Sequence, residues 1–398
     1  MTGNIQRLAH SILIGFVLVA AALFYWQVGR ASDLVIREDN PRLLQAELRV
    51  QRGRLLDRHG ALLARSDLLP GEESGLGGVV QRRYPHPQAA HIVGYYSLRY
   101  GTAGAEAAFD TRLRGQLTWL DRLLHRPQVG NDVTLSLDLA AQGAADQSLG
   151  ERRGAVVVLD VSTGEVLVLI SHPAYDPNSL DEDWETLTTN PQSPLLNRAT
   201  QGVYPLGDLA RLVGLAGLLS AGITTPPDPH TTPLDEMLSP LSQSGYLATA
   251  HQLGFDTAPP FDLPTGPGLL PDFEGRGTPR DLAVTPLHMA RFVAAFADEG
   301  HMPAPALAHP APPSTPGRAF APRVAAALRA ATPRYDGLAG WAGMATPVET
   351  GDRPLSWFAG YAPAEAPRYA IAVVVEGDGG GLSVALPIAR HTLGAIQD

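Results

Sequence analysis

The longest uninterrupted run of hydrophobic residues lies near the N-terminus. This run, Leu8–Gly29, contains no charged residue, lies between Arg7 and Arg30, and is long enough to cross a bilayer as a helix. Tyr25 and Trp26 stand at its far end, where aromatic side chains prefer the membrane interface. The pattern predicts a single membrane-spanning helix at 8–29. Because basic residues favour the cytoplasmic side, residues 1–7 should be a cytoplasmic tail and the rest of the chain should lie outside.

A cleaved signal peptide and a buried core helix are the alternatives to a membrane anchor. No small-residue cleavage site directly follows the run, and its bulky aromatic end fits an anchor better. Beyond it, the charged and periodic segment Ser32–Glu47 predicts a short helix or an extended riser. Gln51–Ala64 predicts a hairpin with a turn at His59-Gly60, within a loop-rich small domain at residues 30–130.

From Asn131 onward, the hydrophobic runs are rich in β-branched residues, which is typical of central strands. We expect a second domain at residues 131–398 with an α/β fold, in which helices cover both faces of an antiparallel sheet. The predicted strands are Val133–Asp138, Gly154–Asp160, Val166–Ser171, Ser356–Ala362 and Tyr369–Val375, and the predicted helices include Leu139–Leu149 and Ala385–Ile396. Residues 197–300 should be mainly helical, and Met302–Arg323, rich in Pro and Ala, should be a loop.

One predicted helix, Leu209–Leu219, is almost wholly apolar and therefore belongs inside the protein. Asp208 stands where an N-cap would be, Gly222 stands where the helix would end, and Arg211 is the one charged residue between them. The structural interpretation of the two charged residues is a cap plus an i,i+3 ion pair, worth about 1 kcal/mol. The alternative is a new ligand site on the first turn of the helix.

Composition narrows the functional classes. The chain of 398 residues is long for one domain, and its net charge of −10 gives no reason to expect a nucleic-acid partner. Cysteine is absent, which excludes disulfides, thiolate catalysis and cysteine-based metal sites. The twelve histidines are scattered without metal-ligand spacing, so we expect surface or capping roles for them, with no metal and no cofactor.

Several separate sequence blocks follow one another along the chain after residue 50. They are RGRLLDRHGALLA, RRYPHPQAAHIVGYYS, GTAGAEAAFDTRLRG, VTLSLDLAAQ, GAVVVLDVSTGEVLVLISHPAYDPN, NRATQGVYPLGD, DLAVTPLHMARFVAAFADEG and SWFAGYAP. In this order the chain resembles class B penicillin-binding proteins, the bitopic D,D-transpeptidases of bacterial cell-wall synthesis. The resemblance implies a transpeptidase fold like that of serine β-lactamases, a membrane-proximal pedestal domain, and a place in the bacterial plasma membrane with the C-terminal domain extracytoplasmic.

This family performs acyl transfer on peptidoglycan stem peptides with three motifs, SxxK, SxN and KTG. At the positions of the nucleophilic Ser and its Lys, the chain has Asp208 and Arg211. An ungapped count places the other two motifs at Leu241-Ser242-Gln243 and at Met344-Ala345-Thr346, with Pro347 following. All three motifs are therefore predicted to be lost.

The substitutions remove the chemistry that the resemblance implies. Acylation of Asp208 would give an anhydride, which water cleaves quickly, and Arg211 stays protonated and cannot act as a base. Met344 lacks the cation that helps to bind the substrate carboxylate in the family. Pro347 lacks the N–H that the family uses as one oxyanion-hole donor. We therefore expect no catalytic residues.

The retained blocks and the lost motifs together predict a pseudoenzyme that acts as a scaffold or regulator in peptidoglycan synthesis. Its expected partner is a polytopic SEDS-type glycan polymerase or another cell-wall synthesis protein, because the family usually engages such polymerases through its membrane helix and membrane-proximal domain. Two alternatives remain. One is a sensor that binds stem peptide or β-lactam without acylation, and the other is an active transpeptidase that uses Ser242 or Ser244 as its nucleophile.

Overall fold

The structure is a computed structural model that describes residues 2–29, 47, 50–69, 80–124, 126–223, 225–312, 317–346, 354–377 and 379–396. The predicted riser before Glu47 and the proline at position 347 lie outside these residues. The N-terminal run is helical as predicted, because α1 spans Thr2–Phe24 and continues as a π-helical turn over Tyr25–Gly29. Its apolar part, Gln6–Gln27, is long enough to cross a membrane, and the other described residues bury none of it.

A four-stranded sheet with the order β3-β2-β1-β6 organises residues 50–134, which we call the small domain. Strands β1 and β2 are antiparallel, which confirms the predicted hairpin, and β6 is parallel to β1. The strands of the small domain are β1 (Leu55–Leu56), β2 (Leu62–Leu68), β3 (Val80–Arg83), β4 (Tyr95–Ser97), β5 (Gly101–Ala103) and β6 (Val133–Thr134). Its helices are α2 (Ala90–Val93), α3 (Gly104–Ala108), α4 (Asp110–Arg114) and α5 (Trp119–Leu123).

A buried charge network crosses the small domain. The side chain of Glu106 has no exposed surface, and its carboxylate accepts hydrogen bonds from Nε of Arg52 at 2.9 Å and Nε of Arg82 at 2.6 Å. Arg52 also pairs with Asp110 at 2.6 Å and lies over the ring of Tyr96 at 4.6 Å. Charges taken out of water are tolerated only when they are paired in this way. Because Arg82 lies in β3, Glu106 in α3 and Arg52 before β1, the network joins β3 and α3 to the chain that enters the domain.

Six strands form the large sheet in the order β13-β14-β15-β16-β7-β8, and every neighbouring pair is antiparallel. The strands that follow the small domain are β7 (Arg153–Asp160), β8 (Val166–His172), β9 (Tyr204–Pro205), β10 (Ala283–Val284), β11 (His301–Met302), β12 (Gly317–Arg318), β13 (Arg334–Tyr335), β14 (Leu338–Ala345), β15 (Leu355–Ala362) and β16 (Tyr369–Glu376). The helices are α6 (Leu139–Leu149), α7 (Leu180–Thr189), α8 (Ala210–Ser220), α9 (Leu234–Leu238), α10 (Gln243–Gln252), α11 (Pro286–Ala297), α12 (Pro322–Ala331) and α13 (Leu386–Gly394).

Helices cover both faces of the large sheet, as predicted. Helix α11 packs on one face against β7, β15 and β16, whereas α6 and α13 pack together against the other face. Alternate side chains of β7 enter two separate apolar cores: Val157 and Leu159 lie in the core that contains α11, and Val156 and Val158 lie in the core that contains α6 and α13. A strand buried on both faces has no polar positions, which explains the continuous apolar run in its sequence.

Three segments differ from the sequence expectation. Only Val133–Thr134 of the predicted strand 133–138 is a strand, because the chain then turns so that Asp138 accepts the N–H groups of Ala140 and Ala141 and caps α6. Residues 253–278, inside the region predicted to be mainly helical, contain no helix. Helix α12 begins at Pro322, inside the segment predicted to be a loop.

His288 confirms the capping role predicted for histidines. It lies in the first turn of α11, where its Nδ1 is 2.8 Å from the hydroxyl of Thr285 and its Nε2 is 2.9 Å from the carbonyl oxygen of Thr257. Thr285 and His288 together form a capping box. Burial lowers the pKa of His288 to about 4, so the ring stays neutral at pH 7, with Nε2–H donating to Thr257 and Nδ1 accepting from Thr285.

Candidate functional site

The site predicted from the family motifs lies where the chain enters α8. A 3₁₀ turn at Gly207–Leu209 precedes the helix, so α8 begins one residue later than predicted, and eight of its eleven residues are buried. At the other end, Gly222 (φ 89°) donates its N–H to the carbonyl of Leu219, and the N–H of Ile223 reaches the carbonyl of Leu218. These two bonds form a Schellman closure, which confirms the predicted end of the helix.

Asp208 does not cap α8, which corrects the sequence interpretation. Its Oδ2 accepts the backbone N–H of Met344 at 3.2 Å, and its Oδ1 pairs with Nη1 of Arg280 at 2.6 Å. Neither the 3₁₀ turn nor α8 has a side-chain cap. The reason is that the 3₁₀ turn places Asp208 within the helical path, and its carboxylate instead bonds to the neighbouring strand β14.

The predicted ion pair between Asp208 and Arg211 is also wrong. Nε of Arg211 donates to the backbone carbonyl of Asp208 at 3.1 Å, and Nη1 donates to the backbone carbonyl of Pro229. Arg280, from the 3₁₀ turn Pro279–Asp281, occupies the position beside the carboxylate instead. Arg211 therefore connects the start of α8 to the loop at Pro229, and a residue far away in the chain neutralises Asp208.

The end of β14 lies directly against the turn that carries Asp208. Gly207, with φ 53°, packs so closely that a Cβ there would lie 2.2 Å from the carbonyl oxygen of Met344. A Cβ at Gly343 would likewise lie 2.4 Å from a methyl carbon of Leu209. The structure thus brings Asp208 together with Met344 and Ala345, the first two residues of the predicted KTG position. The third, Thr346, follows the end of β14. Met344 is 41% exposed.

The predicted SxN position, Leu241-Ser242-Gln243, lies at the start of α10. Leu241 is partly buried and packs against Gly217 of α8. Oγ of Ser242 accepts the N–H of Gly245 at 3.0 Å and lies 3.0 Å from Oγ of Ser244. The placement of the SxN motif at Leu241–Gln243 stays a prediction. Ser242 and Ser244 have the spacing of the first and third motif residues, but they begin one residue after the predicted position.

The composition of the basic residues, which the motif positions do not show, bears on the chemistry of the site. All thirty residues in the lysine-plus-arginine count are arginines, so the chain contains no lysine at any position. Neither SxxK nor KTG can therefore occur under any alignment of this sequence. Arginine does not replace lysine as a base, because a guanidinium group is not deprotonated in proteins.

Other titratable groups near the turn are held in structural contacts. His230 follows the proline that Arg211 contacts, and its ring stacks on Trp341 at 4.8 Å while Nε2 lies 2.9 Å from the carbonyl of Ala331. Within the described ranges, no group of three or more His, Asp or Glu side chains could hold a metal ion. The site as a whole therefore contains the carboxylate of Asp208, which is paired with Arg280, and the guanidinium group of Arg211, which bonds to backbone carbonyls.

Two protein-family models match separate parts of the chain. The one described as "Penicillin binding protein transpeptidase domain" matches residues 154–236 and 236–394. The chain belongs to this family. The one described as "Penicillin binding protein A dimerisation domain" matches residues 52–131, which correspond closely to the small domain.

Individual relatives agree with the family assignment. The chain is 31% identical to the peptidoglycan D,D-transpeptidase PbpA of Mycolicibacterium smegmatis, over 99% of both proteins. It is 34% identical to MrdA of Escherichia coli K12, over 39% of this chain and 31% of that protein. The crystal structure of PBPA from Mycobacterium tuberculosis matches with a TM-score of 0.75 and 28% identity, over 87% of this chain and 99% of that one. The transpeptidase fold that the resemblance implied is therefore confirmed.

The corrected contacts of Asp208 lead to a prediction for a double-mutant cycle. We expect Asp208→Ala and Arg280→Ala to show a coupling of about 0.2–1 kcal/mol, because the pair is partly exposed to water. Asp208→Ala and Arg211→Ala should be additive, since Arg211 bonds to the backbone carbonyl of residue 208 and not to its side chain. Urea unfolding of the full chain in detergent measures both coupling energies. A coupling of Asp208 to Arg211 that exceeds its coupling to Arg280 would contradict this geometry.

Proposed function

We propose that this protein is a noncatalytic penicillin-binding protein that acts as a scaffold or regulator in peptidoglycan synthesis. The observation that carries the proposal is the absence of lysine from the whole chain, together with Asp208 at the position of the family nucleophile. The described residues nevertheless form a six-stranded sheet with helices on both faces. A retained scaffold without the catalytic amine favours a binding role over acyl transfer.

The two alternative functions have less support. Ser242 and Ser244 contact each other, and Ser242 also caps α10; within the part of the chain that the structure describes, no base is evident that would activate either hydroxyl. A sensor that binds stem peptide would need a cation for the peptide carboxylate, and Arg280 is already paired with Asp208. We therefore expect the functional surface of the molecule to lie outside the cleft, by which we mean the site around Asp208, Arg211 and Met344.

The proposal includes a membrane topology. We place the N-terminus in the cytoplasm, α1 in the bacterial plasma membrane, and the small domain and the large sheet outside. The reason is that the residues before the apolar run carry Arg7 and no acidic residue, whereas the residues after it carry charges of both signs. Protease added to intact spheroplasts should therefore remove the part of the chain that contains the large sheet, which we call the large domain, and leave a short membrane-embedded fragment. Protection of the large domain in intact spheroplasts, with digestion only after lysis, would overturn this topology.

A copurification experiment tests the scaffold role. A tagged full-length chain, purified from bacterial membranes, should bring with it a polytopic SEDS-type glycan polymerase or another cell-wall synthesis protein. Cleft variants Asp208→Ala and Arg280→Ala should keep that partner, whereas replacing α1 with an unrelated membrane helix should lose it. The reverse pattern, with the cleft required and α1 replaceable, would refute the scaffold proposal and favour the sensor.

A further inference from the structure

An exposed apolar turn projects from the small domain. Outside α1, most exposed large apolar side chains of the described residues are single or paired, but four occur within Trp119–Leu124. Their exposed fractions are 76% for Trp119, 43% for Leu120, 64% for Leu123 and 51% for Leu124. Their spacing of i, i+1, i+4 and i+5 places all four on one side of α5, because residues four apart share a helix face.

The conformation of this turn is held by polar bonds. The backbone N–H of Thr118 donates to the carboxylate of Asp121 at 3.1 Å, and the N–H of Asp121 donates to the hydroxyl of Thr118 at 3.2 Å. These reciprocal bonds form a capping box at the start of α5. The apolar face is therefore presented in an ordered form without the packing that would normally bury it.

The ends of the projecting segment meet where the membrane anchor's chain enters the small domain. The side-chain amide of Gln128 donates to the carbonyls of Arg114 and Gly115, which joins the chain that follows the apolar turn to the chain that precedes it. Gln51 donates its N–H to the carbonyl of Gln128 at 2.9 Å, and its own carbonyl accepts the N–H of Gly130 at 2.8 Å. The chain arriving from α1 thus pairs directly with the base of the apolar turn.

We propose that the turn Trp119–Leu124 inserts into the bilayer interface as a second membrane contact beside α1. Tryptophan with leucines is the composition that interfacial helices bury at the boundary between head groups and acyl chains. The segment 116–127 contains two arginines and one aspartate, a local excess of +1 in a chain of net charge −10, which suits anionic lipid. Once α1 is in the membrane, a short turn suffices, because tethering raises its effective concentration at the surface.

A second copy of the chain is the other candidate to cover this face, because the family model that matches residues 52–131 is described as a dimerisation domain. A stable protein interface buries about 800 Å² on each partner, which is more than one helical turn provides. A tethered lipid contact needs no such area, since one amphipathic turn can act together with the existing anchor. Lipid is therefore the proposed partner of this face, and the experiment distinguishes it from self-association.

The absence of native cysteine makes a site-specific test direct. The full chain carrying Leu123→Cys, labelled with an environment-sensitive fluorophore, would be reconstituted into liposomes of zwitterionic and anionic lipid. We expect blue-shifted emission that lipids with a spin label near the head group quench, at every protein-to-lipid ratio. A label at the exposed Glu151→Cys of the large domain is the matched control and should stay water-exposed and unquenched.

Each contrary outcome of this test refutes the proposal for a different reason. A blue shift that disappears on dilution in lipid, without lipid quenching, would mean that a second copy covers the turn. Iodide quenching equal to that of the Glu151→Cys control would mean that the turn is free in water. Quenching that survives Trp119→Ser and Leu124→Ser would mean that the dye inserts by itself, and a chain that fails to float with the vesicles would refute the anchor as well.

Discussion

Fluorescent penicillin should leave the full-length protein unlabelled on a denaturing gel. Acylation of Asp208 would give an anhydride that water destroys, and Arg211 cannot remove a proton from an attacking group. The matched control is PBPA of M. tuberculosis, whose structure has been solved as a penicillin G acyl-enzyme complex and matches this chain with a TM-score of 0.73. A labelled band that disappears on Ser242→Ala or Ser244→Ala would reveal a substitute nucleophile and contradict the proposed function.

Restoring the first motif alone should not restore labelling. The double variant Asp208→Ser, Arg211→Lys supplies the nucleophile and its amine, but Met344 still lacks a cation and Pro347 still lacks an N–H. Loss of one oxyanion-hole donor costs about 10²–10³ in rate, so acylation should stay at least that far below the control transpeptidase. Strong labelling of the double variant would show that the rest of the site is intact and that the defect is confined to one helical turn.

Removal of the buried charge at Glu106 should lower the free energy of unfolding more than Asp208→Ala, Arg280→Ala or Asp132→Asn does. Glu106→Gln removes the carboxylate that both guanidinium groups share, so that Arg82 stays buried without a counter-charge while Arg52 keeps its pair with Asp110. Breaking a buried ion pair from one side costs about 3–5 kcal/mol, because the remaining charge stays uncompensated. Urea unfolding of the full chain in detergent, followed by a probe in the small domain, measures this change in the free energy of unfolding.

A second ion pair of the same domain provides the control. The side chains of Arg54 and Asp132 are 60% and 41% exposed, although their bond is 2.6 Å long. Because water already solvates both groups, Asp132→Asn should cost no more than about 1 kcal/mol. Equal effects of Glu106→Gln and Asp132→Asn would show that burial of the network does not determine its contribution.

The sequence by itself determined the elements whose signals are local or periodic. Helix α6 was predicted at its observed bounds, Leu139–Leu149, and its cap Asp138 stands immediately before it. The runs Gly154–Asp160 and Val166–Ser171 are strands within one residue of prediction, because β-branched residues buried on both faces leave a continuous apolar pattern. The absence of lysine is likewise complete in the sequence, and no tertiary arrangement can restore it.

Only the tertiary structure decided the course of β14 and the partner of Asp208. Strand β14, Leu338–Ala345, consists largely of glycine and alanine, so its sequence lacks the β-branched pattern of a central strand. It is a strand because β15 pairs with it from Ala339 to Ala345, and its small residues allow the turn at Gly207 to approach. Arg280 reaches Asp208 across 72 positions of the chain, whereas Arg211, only one helical turn away, bonds to backbone carbonyls. Local spacing predicts which residues can meet along one helix, but packing of distant segments determines which charge is neutralised.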